Sequence, residues 1–169
     1  MEIKAQCKNH NFIREILKSK NGVFKGVDFQ TDTYFNCNFG RLKLRQGNIE
    51  NNLIHYIREN KSGPKESIVT LYKASPDSAL KILLNNALGV LVEVKKKREI
   101  YFIDNVKFHI DLVDGLGSFV EIEAIDSTGK ISKEKLLSQC EYYLKIFQIK
   151  TKQLITQSYS DLLLQMIED

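Results

Sequence analysis

Several short stretches carry side chains whose types and spacing suit phosphate and hard metal ions. GRLKLRQ sets Arg41, Lys43 and Arg45 at alternate positions around Leu42 and Leu44, and KKKREI does the same with Lys96 and Arg98. FHIDLVDGLGSFVEIE alternates His109 and Asp111, then Glu121 and Glu123, with Phe108, Ile110, Leu112, Val120 and Ile122. Glu2 and Lys4 repeat the pattern in EIKA, and NLIHYIR groups Ile54, Tyr56 and Arg58. In an extended strand alternate side chains share a face, so each stretch has one charged and one apolar side. Guanidinium and ammonium groups bind phosphate oxygens, and carboxylates hold a divalent cation that bridges to them. His109 titrates near neutrality and has the chemistry of a proton carrier, or of a structural or phosphate-contacting group.

Two arrangements accommodate these faces. In the first, the charge is solvated on an open sheet. Lysines then guard strand edges, and Glu121 and Glu123 pair with Lys107 or Lys97 for at most about 1 kcal/mol. In the second, helices cover the apolar faces and the sheet curls so that its charged side is concave. Repetition of the same alternation along many strands favours the second. The GLG turn reads as a hairpin needing positive φ; no Lys-Ser/Thr and no helix follow it, so it is not a phosphate loop.

The elements that must hold these residues are about eight strands with interspersed helices. Asn11 is expected to cap a short helix through Phe12, Ile13, Ile16 and Leu17, ending at Asn21-Gly22. Lys61-Ser62-Gly63-Pro64 reads as a turn. Ser75-Pro76-Asp77 reads as the start of a helix that Gly89 stops, and Ser132 caps another through Phe147. SYSDLLLQMIED is a final helix or a capping segment. Turns too short for parallel crossovers make the sheet antiparallel. We read residues 1–169 as one α+β domain.

Composition sets outer bounds. The 169 residues, 43% hydrophobic and 27% charged, are those of an ordinary globular protein. Cys7, Cys37 and Cys140 are odd in number and widely spaced, which speaks for free thiols, a reducing cytoplasm and no zinc site. No apolar run is long enough to span a bilayer, and MEIKAQCKNH lacks a signal-peptide core. The net charge of +4 permits a polyanionic partner without requiring a nucleic acid.

Taken in order, EIK, QTDTYF, GRLKLR, the Lys96/Arg98 strand, HIDLVDGLGSFVEIE and SYSDLL resemble the CYTH, or triphosphate tunnel metalloenzyme, superfamily, most closely its class IV adenylyl cyclase-like branch. The resemblance implies a closed antiparallel barrel of about eight strands, helices outside, with a triphosphate threaded through a charged tunnel. It implies phosphate binding by Arg41, Lys43, Arg45, Lys65, Lys96 and Arg98, and catalytic roles for Lys4, Arg58 and His109. It implies Mg²⁺ or Mn²⁺ on Glu2, Asp111, Glu121 and Glu123. The family opens Glu-x-Glu-x-Lys; Glu2 and Lys4 match its last two positions, and the first glutamate would lie before Met1.

The implied partner is a nucleoside triphosphate or tripolyphosphate, and the oligomeric state stays open between monomer and homodimer. A cyclase and a triphosphatase can share such a lumen, so fold analogy does not separate them. A base pocket would, and Tyr34, Phe35, Tyr56 and Tyr159 are either its walls or core residues. A basic module binding RNA or a phosphoprotein, or a sensor without turnover, is the reading from a different class.

Overall fold

The computed structural model describes residues 1–61, 63–76 and 78–168. Its strands are β1 (Glu2–Gln6), β2 (Val23–Phe35), β3 (Arg41–Gln46), β4 (Asn52–Arg58), β5 (Ser67–Lys73), β6 (Val90–Ile103), β7 (Val106–Val113) and β8 (Gly117–Ala124). Helices α1 (His10–Ser19), α2 (Leu80–Leu88), α3 (Lys133–Ile146) and α4 (Tyr159–Glu168) complete the α+β fold. All eight strands form one antiparallel sheet in the order β1-β8-β7-β6-β2-β3-β4-β5.

The apolar faces are the outside. Ile3 and Ala5 of β1, Phe108 and Ile110 of β7, and Val120 and Ile122 of β8 pack with Ile13 and Leu17 of α1 and with Leu136, Cys140 and Tyr143 of α3. Burying side chains of this size stabilises the fold by about 1.5–3 kcal/mol each, which is why the helices settle on this side. The charged face therefore lies on the opposite, concave side. At one end of that side α4 lays Tyr159 and Leu162 against Val92, Val94, Val113 and Phe119.

The strand number, antiparallel direction and outer helices match the expectation, but hydrogen bonding does not close the barrel. Among the described residues β1 and β5 do not pair; just before β5, Lys65 and Glu2 exchange backbone bonds of 2.8 and 2.9 Å in an isolated bridge. Farther along, the free edge of β1 is taken by the segment leading to α4. Ile155 N donates to Lys4 O at 2.9 Å, and Ala5 bridges Leu154. A strand edge offers one row of backbone groups, so β5 cannot also pair there.

Local signals held in part. Ser132 caps α3 by accepting from Lys135 N, and Gly89, at φ 78°, ends α2. Within SYSDLLLQMIED, Tyr159–Glu168 forms α4, with Ser158 and Asp161 bonding each other's backbone N–H. The cap of α1 is Asn9, not Asn11: the helix begins at His10, Asn9 Oδ1 accepts from Phe12 N, and Asn11 lies inside the first turn. Helix α2 begins at Leu80 rather than at Ser75-Pro76; Ser78 N bonds Ser75 O in a turn there, and Ala79 O accepts the first bond, from Leu83 N. Asp77, and Ser62 of the earlier turn, lie outside the described residues.

Candidate active site

Strand register decides which charges meet. Lys4 of β1 lies opposite Glu121, which lies opposite His109; Asp111 lies opposite Arg98. Lys96 faces Gln30, and Asp32 faces Arg45. The concave face thus encloses a cavity of about 680 Å³ into which Lys4, Lys43, Arg45, Arg58, Lys96 and Arg98 all project.

The cations are gathered on few carboxylates. Asp32, 1% exposed, accepts Arg45 Nε and Nη2 at 2.8 and 2.9 Å, Lys43 Nζ at 3.0 Å and Lys96 Nζ at 2.7 Å. Burial alone would raise its carboxyl, but Arg45, Lys43 and Lys96 outweigh that and hold it well below the usual range. Burial pushes the Lys96 ammonium down to about 7, with Asp32 only partly offsetting it. Three cations share Asp32, and of these Arg45 also reaches a second carboxylate, Glu50, at 3.0 Å, so positive charge remains in excess.

The second hub is acidic. Glu121 binds Lys4 Nζ at 3.1 Å, Arg98 Nη2 at 2.7 Å and His109 Nδ1 at 3.0 Å. Burial would raise Glu121; Lys4 and Arg98 override it and hold the group well below the usual carboxylate range. Burial, reinforced by Arg98, lowers the His109 pKa, so the imidazole is neutral near pH 7. With Nδ1–H donated to Glu121, its buried and unpartnered Nε2 is left as a lone-pair donor. Ligand-type atoms of His109, Glu121 and Glu123 lie within 4.8 Å of one another. Two carboxylates with one neutral imidazole fit a divalent ion of the Mn²⁺ type.

Several expected residues sit elsewhere. Asp111, 0% exposed, is taken up by Arg98 at 2.7 and 2.5 Å and by the Tyr159 hydroxyl at 2.8 Å, so it positions Arg98 outside the metal-type cluster. Arg41 turns from the cavity to Asp161 at 2.8 Å. Lys65 Nζ binds the carbonyls of Thr156, Ile155 and Lys61 at 2.8, 3.2 and 3.4 Å, tying β5 to the segment that borders β1. Glu2 holds Arg58 Nη1 at 2.5 Å, leaving Arg58 Nε and Nη2 buried and unpartnered. Tyr34, Tyr56 and Tyr159 line the cavity, while Phe35 packs in the core. Lys4 Nζ sits 3.7 Å from the centre of the Tyr159 ring.

Asp32, Glu50 and Lys107 were missed as site residues. The even spacing of Asp32 and Tyr34 in QTDTYF was a usable signal for Asp32. Glu50 gave none, because it stands on a turn.

The CYTH domain family matches residues 1–159, and the chain belongs to it. It is 29% identical to the Methanocaldococcus jannaschii protein named "Putative adenylate cyclase MJ0240", over 96% of this chain and 97% of that one. The PH1012 protein of Pyrococcus horikoshii superposes with a TM-score of 0.77 at 23% identity, covering 96% of this chain and 98% of its own. The Hippeastrum protein HpAC1, named a "putative adenylyl cyclase" that reveals "a dominant triphosphatase activity", superposes with a TM-score of 0.62 at 14% identity, covering 100% and 97%. Among the described residues no helix is long and apolar enough to cross a membrane.

Proposed function

We propose that this protein is a metal-dependent enzyme acting on a triphosphate bound along the concave face, in the manner of a class IV adenylyl cyclase. The observation that carries the reading is the excess of cations around Asp32, facing the His109, Glu121 and Glu123 cluster across one cavity.

On this reading Lys43, Arg45, Lys96 and Arg98 exchange carboxylate partners for phosphate oxygens, while Lys4 and Arg58 neutralise charge that builds up as the bond to the leaving group stretches. His109, Glu121 and Glu123 would hold a Mn²⁺ or Mg²⁺ ion, with Glu2 beside Glu123 in register. When bound, that ion supplies charge neutralisation and orientation of the phosphates. In cyclisation the ribose 3′-oxygen bonds to the α-phosphorus, the bond to the β-phosphate oxygen breaks, and pyrophosphate leaves. The hydroxyl proton passes to water, because the one lone pair of neutral His109 would be committed to the ion. Asp111 keeps Arg98 aimed at the chain.

Triphosphate hydrolysis is the second reading, favoured by the activity named for HpAC1. A panel of ATP, GTP, thiamine triphosphate and tripolyphosphate with Mg²⁺ and Mn²⁺ separates the two. Cyclic nucleotide with equimolar pyrophosphate supports the first, and free orthophosphate supports the second. Turnover of nothing in the panel would overturn both.

A pH dependence follows from Lys96. Between about pH 7 and 10.5 the folded protein gives up this proton while the unfolded chain keeps it. The unfolded state then binds more protons, so this group makes stability rise with pH across that window. A bound polyphosphate draws the proton back, so affinity should fall as pH rises from 7 to 9. Titrations of wild type and Lys96→Arg check this, because arginine stays charged and should flatten the profile. Parallel profiles would contradict it.

A further inference from the structure

The turn between β3 and β4 carries a carboxylate that the proposed chemistry does not use. Glu50 Oε2 accepts from Arg45 Nη1 at 3.0 Å, and Oε1 accepts from Lys107 Nζ on β7. Strands β2 and β6 lie between β3 and β7, so this side chain reaches across the concave face. It does so at the end opposite α4, which packs against Val92, Val94 and Val113.

The turn is built to hold Glu50 there. Asp28 of β2, 0% exposed, accepts Ile49 N and Glu50 N at 2.9 Å each. Gln30 Nε2 donates to Asp28 at 2.7 Å and to Glu50 at 3.3 Å. Asn48 accepts from Phe29 N at 2.7 Å and donates to Val27 O at 3.0 Å. A Cβ on Gly47 would stand 2.4 Å from Asp28 Oδ1, so the approach requires glycine. Burial alone would raise the Glu50 carboxyl, but Arg45 and Lys107 outweigh that and keep it ionised.

A carboxylate clamped between a guanidinium and an ammonium stands where a further phosphate of a longer chain would seek the same cations. We propose that Glu50 is an end stop, a specificity-determining residue that repels a further phosphate and so selects triphosphates over longer polyphosphates. Rejection by a fixed like charge is a common source of specificity. The proposal rests on reading the cavity as a polyphosphate site and adds to it a limit on chain length.

The test is calorimetric titration of tripolyphosphate and tetrapolyphosphate into the full chain at fixed Mn²⁺, for wild type, Glu50→Gln and Glu50→Ala. Wild type should prefer the shorter chain by about tenfold or more, the scale of one like charge a few ångströms away. Both variants should bind the two chains within about twofold of each other, through a gain for the longer one. An unchanged ratio in the variants, a proportionate loss for both chains, or no preference in wild type overturns the end stop alone. Wild type binding neither chain overturns the polyphosphate reading, and the end stop with it.

Discussion

Asp32→Asn should lower the melting temperature by roughly 10 °C, and tripolyphosphate should restore more of it than the same ligand adds to wild type. The substitution keeps shape and removes the one charge shared by Lys43, Arg45 and Lys96. Leaving buried charges without a counter-ion costs about 3–5 kcal/mol, and each kcal/mol shifts a domain of this size by about 2–4 °C. A polyanion then does more than bind, because it replaces the missing counter-charge. Thermal scans with and without tripolyphosphate measure both effects. Equal ligand-induced shifts in variant and wild type would mean that these cations do not receive phosphate.

Glu123→Gln should cut metal-dependent turnover by about 100-fold or more while leaving the melting temperature nearly unchanged. Of the three clustered residues Glu123 is the least committed to the fold. It is 28% exposed, and the neutral His109 Nδ1 lies 3.5 Å from its Oε1. Glu121, by contrast, anchors Lys4 and Arg98, so its loss would mix stability with chemistry. Rates across a Mn²⁺ series, beside thermal scans, separate a ligand from a surface charge. Full activity in the variant would remove Glu123 from the metal set.

The difference between these residues shows what local sequence can and cannot carry. The alternation in EIKA, GRLKLR and FVEIE is a property of each strand by itself, so the inward charged face was legible without coordinates. Partner choice is not local. Asp111 carries the spacing of a lining residue, yet Arg98 from the neighbouring strand and Tyr159 from α4 occupy it. Arg41 shares a strand face with Lys43 and Arg45, but Asp161, 120 positions away, draws it off. The resemblance implies phosphate binding by Lys65, and only the folded chain shows three backbone carbonyls around its ammonium. That hydrogen bonds do not close the sheet was hidden for the same reason, since Leu154 and Ile155 border β1 from the far end of the chain. Asp32 was the most legible omission, standing two positions from Tyr34 in QTDTYF. Glu50 was the least legible, since its turn gains meaning only where Asp28 folds it over the sheet.

One titration tests the polyphosphate site most directly: tripolyphosphate into the wild-type chain with Mn²⁺ and again with EDTA, against single-stranded RNA under the same two conditions. A single tripolyphosphate site that tightens with Mn²⁺, with weak RNA binding indifferent to the metal, is the predicted result. Salt-steep RNA binding that ignores EDTA, with no tripolyphosphate site, would contradict it and make the basic strands an RNA-binding surface.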